Sequence, residues 1–343
     1  GSPAVYLKNS RVLTPLLTFA AMALAALAGA ASPLEHVTLQ LKWKHQFQFA
    51  GYYAAIEKGF YRDAGLDVTL LEAETGKSYV DSVLDGKAEF GVASSELAVL
   101  RAQGKPVVAL APVYQHSPLE LIVDQHSGVD NVHDLVGKRV MIATDEAEVF
   151  AYLQAEGVDA KQLQFVPHTY DPQDLIEHKV AAVSGYSTDE PFDLERARFP
   201  FSVFKPRSGG IDFYADTLFT TEQQIREHPE RVRRFLDASL KGWRYAFEHT
   251  DEVIDLILAK YSRAHSREHL VFEAEESRRL IQPSLVEIGY TNPGRWNEIA
   301  ATYERLGLVP THWSLDGFLY ERNPRPDLRW LFGALGISIT GTI

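Results

Sequence analysis

The sequence contains no cysteine. That single absence removes disulfides, zinc–cysteine sites, iron–sulfur clusters and thiol catalysis together. It is compatible with an oxidising compartment without demonstrating one. Positive charge is outweighed: 34 Lys and Arg against 46 Asp and Glu give a formal charge of -12. That balance argues against nucleic acid and anionic membrane surfaces as main partners, although it says little about a small ligand, because pocket charge is local. Familiar catalytic signatures are missing too. Thr75-Gly76-Lys77-Ser78 invites a phosphate-loop reading, but the required first glycine falls on Leu71, which leaves a helix start. There is no GxGxxG dinucleotide fingerprint, no HExxH and no GxSxG nucleophile elbow. The 12 histidines are scattered, so neither a metal nor another cofactor is expected. No internal repeat is evident.

What is present describes a globular chain. Its 343 residues suit two domains or one bilobed unit, and 45% hydrophobic with 23% charged residues gives no sign of bulk disorder. Lys8 and Arg11 precede a charge-free, Ala/Leu-rich run from Val12 to Ala31 that includes Ala28-Gly29-Ala30. Residues 1–31 read as a secretory signal or, being nearly long enough to span a bilayer, as an N-terminal membrane segment. At the other end, the uncharged Trp330 to Ile343 follows Arg325 and Arg329. Residues 323–343 read as a stiff linker around Pro324-Arg325-Pro326 leading to the start of a transmembrane helix, or else to a buried terminal helix.

Between these ends strand and helix patterns alternate. Val37–Leu41, Val68–Leu71, Ala88–Ala93 and Pro106–Tyr114 read as strands separated by helical segments, which predicts a parallel sheet covered by helices. Leu119–Val123, Arg139–Ala143, Leu163–Val166 and Val180–Val183 predict a second sheet, and Phe213–Thr220 a return crossing. Beyond that the pattern is helical. In Pro229–His249, Val232, Phe235, Leu236, Leu240, Trp243 and Phe247 form one apolar face. The expected division is lobe one over 36–114 plus 212–322 and lobe two over 115–211.

The most telling stretch is Leu39 to Leu66, in which a strand runs through the aromatic, amide-rich loop Trp43 to Phe49 into a helix. Gly51-Tyr52-Tyr53, Glu57-Lys58-Gly59-Phe60-Tyr61 and Ala64-Gly65-Leu66 follow in order. This segment resembles the opening of the periplasmic substrate-binding proteins that recognise thiamine pyrimidine precursors. The resemblance continues through Gly137-Lys138-Arg139-Val140 and Asp189-Glu190-Pro191 and is diffuse elsewhere. It implies an α/β, bilobed, periplasmic-binding-protein (Venus flytrap) fold with two crossings, C-terminal helices and a ligand held between the lobes. It also implies ligand contacts at Ser94 and Ser95, and at an acid near Glu190. The family's eukaryotic branch makes the thiamine pyrimidine with a cysteine-rich iron site and a pyridoxal phosphate lysine, chemistry that a cysteine-free chain argues against.

The candidate ligand-binding residues lie at strand ends and crossings, where open α/β sheets hold ligands. Trp43 offers a stacking face, with core packing an equal reading, and Gln48 an amide, for which solvation or capping is the plainer reading. Ser94 and Ser95 precede a helix, which N-capping alone would explain. Tyr114, His116 and Ser117 sit at the first crossing; Asp212, Tyr214 and Asp216 sit at the return. Asp145 and Glu148 open a helix, as a capping pair or as a filter for cationic ligands. Tyr186, Asp189 and Glu190 repeat that acidic theme, with Pro191 expected to hold Glu190 extended. The resulting expectation is an extracytoplasmic, non-catalytic domain that closes on an amine-bearing or cationic ligand, an aminopyrimidine or a basic amino acid such as arginine. It would signal through cytoplasmic domains of the same chain or, alternatively, deliver ligand to an ABC permease. A pyrimidine-synthesising enzyme is the rival class.

Overall fold

Short aliphatic runs become strands, and the glycines that follow helices turn the chain back to start the next one. A computed structural model of the protein describes Gly1 and residues 32–323, so the expected N-terminal segment and nearly all of the 323–343 linker lie outside the described residues. The chain first lays down β1 (Glu35–Gln40), β2 (Leu66–Leu71), β3 (Phe90–Ala93) and β4 (Val107–Pro112). After crossing it makes β5 (Leu119–Asp124), β6 (Arg139–Met141), β7 (Gln164–Phe165), β8 (Ala182–Tyr186) and β9 (Phe201–Phe204). It then returns as β10 (Thr217–Thr221). The two five-stranded sheets run β2-β1-β3-β10-β4 and β7-β6-β8-β5-β9. No helix among the described residues is long and apolar enough to cross a membrane.

The all-parallel sheet expected from the alternation is corrected by the crossings. β1 pairs in parallel with β2 and β3, and β6 with β7 and β8. β10 runs antiparallel to β3 and β4, and β5 antiparallel to β8 and β9. The reason is where each strand begins. A crossover helix returns the chain to the far end of its sheet and produces parallel neighbours, whereas a strand arriving from the other lobe enters at the cleft end and runs the opposite way. Leu119 accordingly faces Tyr186 at the end of β8, and Thr217 faces Ala93 at the end of β3. The ends of β1, β3, β6 and β8 therefore converge between the lobes. The short, half-buried edge strand β9 was not anticipated.

Two helical expectations also change. The segment after Phe47 is a 3-10 turn, a helix over Ala50–Glu57 and a second turn over Phe60–Asp63, broken at Gly59, whose φ of 78° favours glycine. Glu190 is not extended: it begins the helix Glu190–Arg196, with Pro191 in its first turn, where a missing N–H costs nothing.

The lobe-one core forms as the pattern predicts. Val232, Phe235, Leu236, Leu240, Trp243 and Phe247 are buried along the helix Pro229–Glu248, and Phe235 stacks on Phe90 of β3 at 3.9 Å. That helix packs tightly on Ala50–Glu57 because glycines face one another. A Cβ on Gly242 would overlap the Gly51 carbonyl, and one on Gly51 would enter the Trp243 ring. Propensity alone would make Gly242→Ala stabilising by about 1 kcal/mol. The close approach predicts the opposite, a loss of about 2 kcal/mol from overpacking, read from the urea midpoint.

Candidate functional site

The floor of the cleft is built on Lys42, the second residue beyond the end of β1. Its ammonium donates to Ser94 Oγ at 2.7 Å and to the Tyr186 hydroxyl at 2.8 Å, and pairs with Asp216 Oδ1 at 3.2 Å. Side-chain exposure is only 9% for Lys42 and 4% for Asp216. Burial works against the charge, but Asp216, with smaller help from Tyr186, Tyr79 and Glu96, holds Lys42 protonated well above the ordinary lysine range. The second oxygen of Asp216 accepts from Gln48 Nε2 at 2.6 Å, and Gln48 Oε1 in turn accepts from Gln46 Nε2. Ser94 and Asp216 belong to lobe one and Tyr186 to lobe two, so a single ammonium ties the lobes together.

Opposite this floor, lobe two contributes carboxyls at its strand ends, Glu148 buried and Glu146 and Glu190 half-buried. Glu146 Oε2 accepts the Ala143 backbone N–H at 3.0 Å, and Glu190 Oε2 accepts that of Tyr186 at 2.8 Å. Burial pushes Glu146 up to about 7 and Glu148 up to about 8, eased by hydrogen bonds that include the Ser117 hydroxyl on Glu148. Burial, reinforced by neighbouring Asp189, also raises Glu190 to about 8. Glu146 and Glu148 both feel the Lys42 charge. Asp145 itself is exposed. A set of carboxyls poised near neutrality favours a ligand that brings N–H donors or positive charge, because such a ligand restores what burial removed.

Aromatic rings close the rim. Trp43, 39% exposed, meets Tyr170 across the lobes with centroids 5.3 Å apart. Tyr170 stacks on His168 at 4.1 Å, and His168 Nε2 reaches the Ser184 carbonyl at 2.8 Å. Tyr170 holds a positive φ of 58°, a costly conformation for a bulky residue.

The other candidates separate by place. His116 pairs with Asp212 at 2.7 Å, joining the two crossings, and Asp212 also accepts from Arg295 through its backbone carbonyl. Ser95 is buried, bonded to the Tyr303 hydroxyl and not capping the following helix. Tyr114 bonds Ser277 inside lobe one, and the Tyr214 hydroxyl accepts the Asn292 N–H while its ring lies on Trp296. Asp189 leaves the acid group and faces His269 with Nε2–Oδ1 at 2.8 Å. Lys42, Glu146 and Tyr170 escaped the sequence reading. The first two flank chosen residues, Trp43 and Asp145, and the pattern offered no way to choose between neighbours; Tyr170 has no local motif at all. A surface depression of about 420 Å³ lined by Asp124, His126, Lys138 and His178 lies at the opposite end of the lobe-two sheet.

Removing one member of a buried ion pair strands the other. Lys42→Met is expected to cost about 3 kcal/mol in denaturant unfolding, and Lys42→Met with Asp216→Asn clearly less than that.

Comparison with known proteins places this geometry. The chain is 26% identical over 315 residues to the riboflavin-binding protein RibY of Chloroflexus aurantiacus, covering 86% of this chain and 88% of that one. It is 25% identical to the formylaminopyrimidine-binding protein of Halalkalibacterium halodurans, over 79% of this chain and 84% of the relative. It is also 25% identical to a 4-amino-5-hydroxymethyl-2-methylpyrimidine phosphate synthase of Legionella pneumophila, over 64% of this chain and 72% of the enzyme. Among solved structures, the periplasmic aliphatic sulphonate binding protein SsuA of Escherichia coli superposes with a TM-score of 0.63 at 11% identity, covering 85% of this chain and 94% of that one. That likeness establishes the bilobed α/β periplasmic-binding-protein fold. The NMT1/THI5-like description matches residues 46–253, more than half of the chain, and the protein belongs to the NMT1/THI5-like family.

Proposed function

We propose that the protein is an extracytoplasmic, non-catalytic binding protein whose lobes close on a nitrogen-bearing aromatic ring of the aminopyrimidine class. The observation that carries this reading is the pairing of near-neutral carboxyls, the buried Glu148 and the half-buried Glu146 and Glu190, with the Trp43–Tyr170 rim. An aminopyrimidine offers a flat face to the rings, and its adjacent amino group and ring nitrogen suit a carboxyl that donates or accepts. Relatives named for binding formylaminopyrimidine and riboflavin support a heteroaromatic ligand. Arginine, with its planar cation, fits the same carboxyls and belongs in the test.

Closure is a population shift: a ligand that touches both lobes favours the state in which both contacts exist. The Lys42–Tyr186 and Trp43–Tyr170 contacts are the lobe-to-lobe links such a ligand would reinforce. Delivery to an ABC permease, supported by SsuA-like neighbours, and signalling through membrane-attached domains, supported by the apolar segment from Trp330, are two outputs of that same motion.

The synthase relatives raise turnover as a rival. A pyridoxal phosphate lysine must offer a neutral amine, and Lys42 is held as an ammonium with three partners. Incubation with pyridoxal phosphate and iron(II) should therefore form no pyrimidine; product formation would sink the non-catalytic reading.

Calorimetry with 4-amino-5-hydroxymethyl-2-methylpyrimidine, formylaminopyrimidine, riboflavin and arginine tests the ligand class. An aminopyrimidine should bind, and Glu148→Gln and Glu190→Gln should each weaken it at least about tenfold, or 1.4 kcal/mol. Binding by none of the four, or equal binding by both variants, rejects the proposal.

The carboxyls also predict a pH dependence. Their folded values of about 7 to 8 exceed the ordinary 4.5, so the folded state holds more protons between those limits. Their stabilising contribution is complete below 4.5 and is lost as pH rises through 7 to 8. The melting temperature of the ligand-free protein should fall across that window, and Glu148→Gln with Glu190→Gln should flatten the slope.

A further inference from the structure

Four side chains beside the cleft remain unused by the ligand reading. His265, His269 and Glu273 recur every fourth residue, the last two on the helix Arg267–Ile281 of lobe one. Asp189 comes from lobe two, just before the helix Glu190–Arg196. One donor atom from each of the four lies within 4.8 Å of the others.

The arrangement has the features of a metal site rather than an ion cluster. His269 has a side chain only 5% exposed, and its Nε2 lies 2.8 Å from Asp189 Oδ1. The angle between them does not make a hydrogen bond, so this buried nitrogen has no partner among the described residues. His265 Nε2 approaches the same Asp189 oxygen at 3.8 Å. The two imidazoles lie face to face at 3.8 Å, only 5° from parallel, which brings both Nε2 atoms to one oxygen. On its other side, His265 Nδ1 bonds Glu273 Oε1 at 2.8 Å, and Glu273 Oε2 accepts the Phe47 N–H at 3.0 Å. A carboxylate on one ring nitrogen is how metal-bound histidines are oriented, since it leaves the other nitrogen's lone pair free.

A protonated His265 between Glu273 and Asp189 would account for His265 alone. It leaves the His269 nitrogen unserved, and a second protonated ring stacked at 3.8 Å would repel the first. A dication answers both problems, because two neutral imidazoles and two carboxylates carry the opposite charge. Donors around a tetrahedral ion with bonds of about 2.1 Å lie about 3.4 Å apart, between the 2.8 Å and 3.8 Å seen here.

We propose that Asp189, His265 and His269, with Glu273 orienting His265 from behind, form a site for a borderline divalent transition metal that clasps lobe two to lobe one. Two imidazole nitrogens and one carboxylate oxygen suit zinc and its neighbours, with a fourth position left to water, rather than calcium or magnesium, which require oxygen. Through Phe47 the clasp is tied to the loop that carries Trp43 and Gln48, and Asp189 adjoins Glu190. Metal occupancy would thus act on the same closure as the cleft ligand, from a separate site.

The test needs no organic ligand, so it stands apart from the ligand proposal. Chelator-treated protein is titrated with zinc chloride, with magnesium as a control, and its radius of gyration is followed by X-ray scattering. Zinc should bind one to one, magnesium should not, and His269→Ala and Asp189→Ala should each weaken zinc at least about tenfold. Asp189 is the most accessible carboxylate of the set and on the opposite lobe, so Asp189→Ala answers the question even where the buried His269→Ala misfolds. Zinc should also contract the wild type but not Asp189→Ala. Absence of zinc binding, or binding unchanged in both variants, overturns the site. Zinc binding lost in His269→Ala but retained in Asp189→Ala overturns the clasp.

Discussion

The ion pair between Lys42 and Asp216 is the constraint on which the rest of the cleft depends. Neither charge reaches bulk water to any extent, so each must be neutralised and hydrogen-bonded by protein. Lys42 spends its three N–H donors on Ser94, Asp216 and Tyr186, which uses an ammonium's full complement. Asp216 completes itself with Gln48. Three separate loops and one residue of the opposite lobe are thereby located relative to one point. A pair like this contributes little net stability compared with apolar packing. Its effect here is positional, because the alternative is an uncompensated buried charge.

That location dictates the chemistry around it. Parallel strands end at the cleft and crossing strands begin there, so both sheets present their loop residues to the same space. Lobe one brings the cation, already satisfied. Lobe two brings carboxyls that burial has pushed toward protonation, none of them in an ion pair among the described residues. The imbalance is local and directional, and it survives although the chain as a whole is acidic. The histidine–carboxylate group beside the cleft follows a similar logic, since helix Arg267–Ile281 and the turn before it carry His269 and His265 toward an aspartate that the second lobe supplies.

Much of the architecture was legible because it rests on local pattern. The apolar face of Pro229–Glu248, the helix Arg267–Ile281 and most strands follow from periodicity alone. The helix start read at Thr75–Ser78 is present, with Ser78 capping it by accepting the Asp81 N–H. What failed did so for identifiable reasons. Pro191 restricts the residue before it, yet Glu190 tolerates a first-turn position where no intrahelical N–H is needed. Ser95 looked like a cap, but a buried tyrosine hydroxyl 208 residues away claimed its oxygen. Strand direction could not be read because alternation records order along the chain, not the side from which a strand enters its sheet.

The amino-acid sequence by itself determined the helices, the strands, the two-lobed plan and the acidic and aromatic character of the strand-end loops. These follow from side-chain periodicity, turn residues and composition, all of which act within a few residues. Only the tertiary structure decided that Lys42 meets Tyr186 across 144 positions, that Trp43 meets Tyr170, and that Asp189 faces two histidines of the other lobe. Burial and field are properties of what surrounds a group. A carboxyl becomes a near-neutral acid, and a lysine a fixed cation, only when residues distant in the chain remove the water and supply the partners.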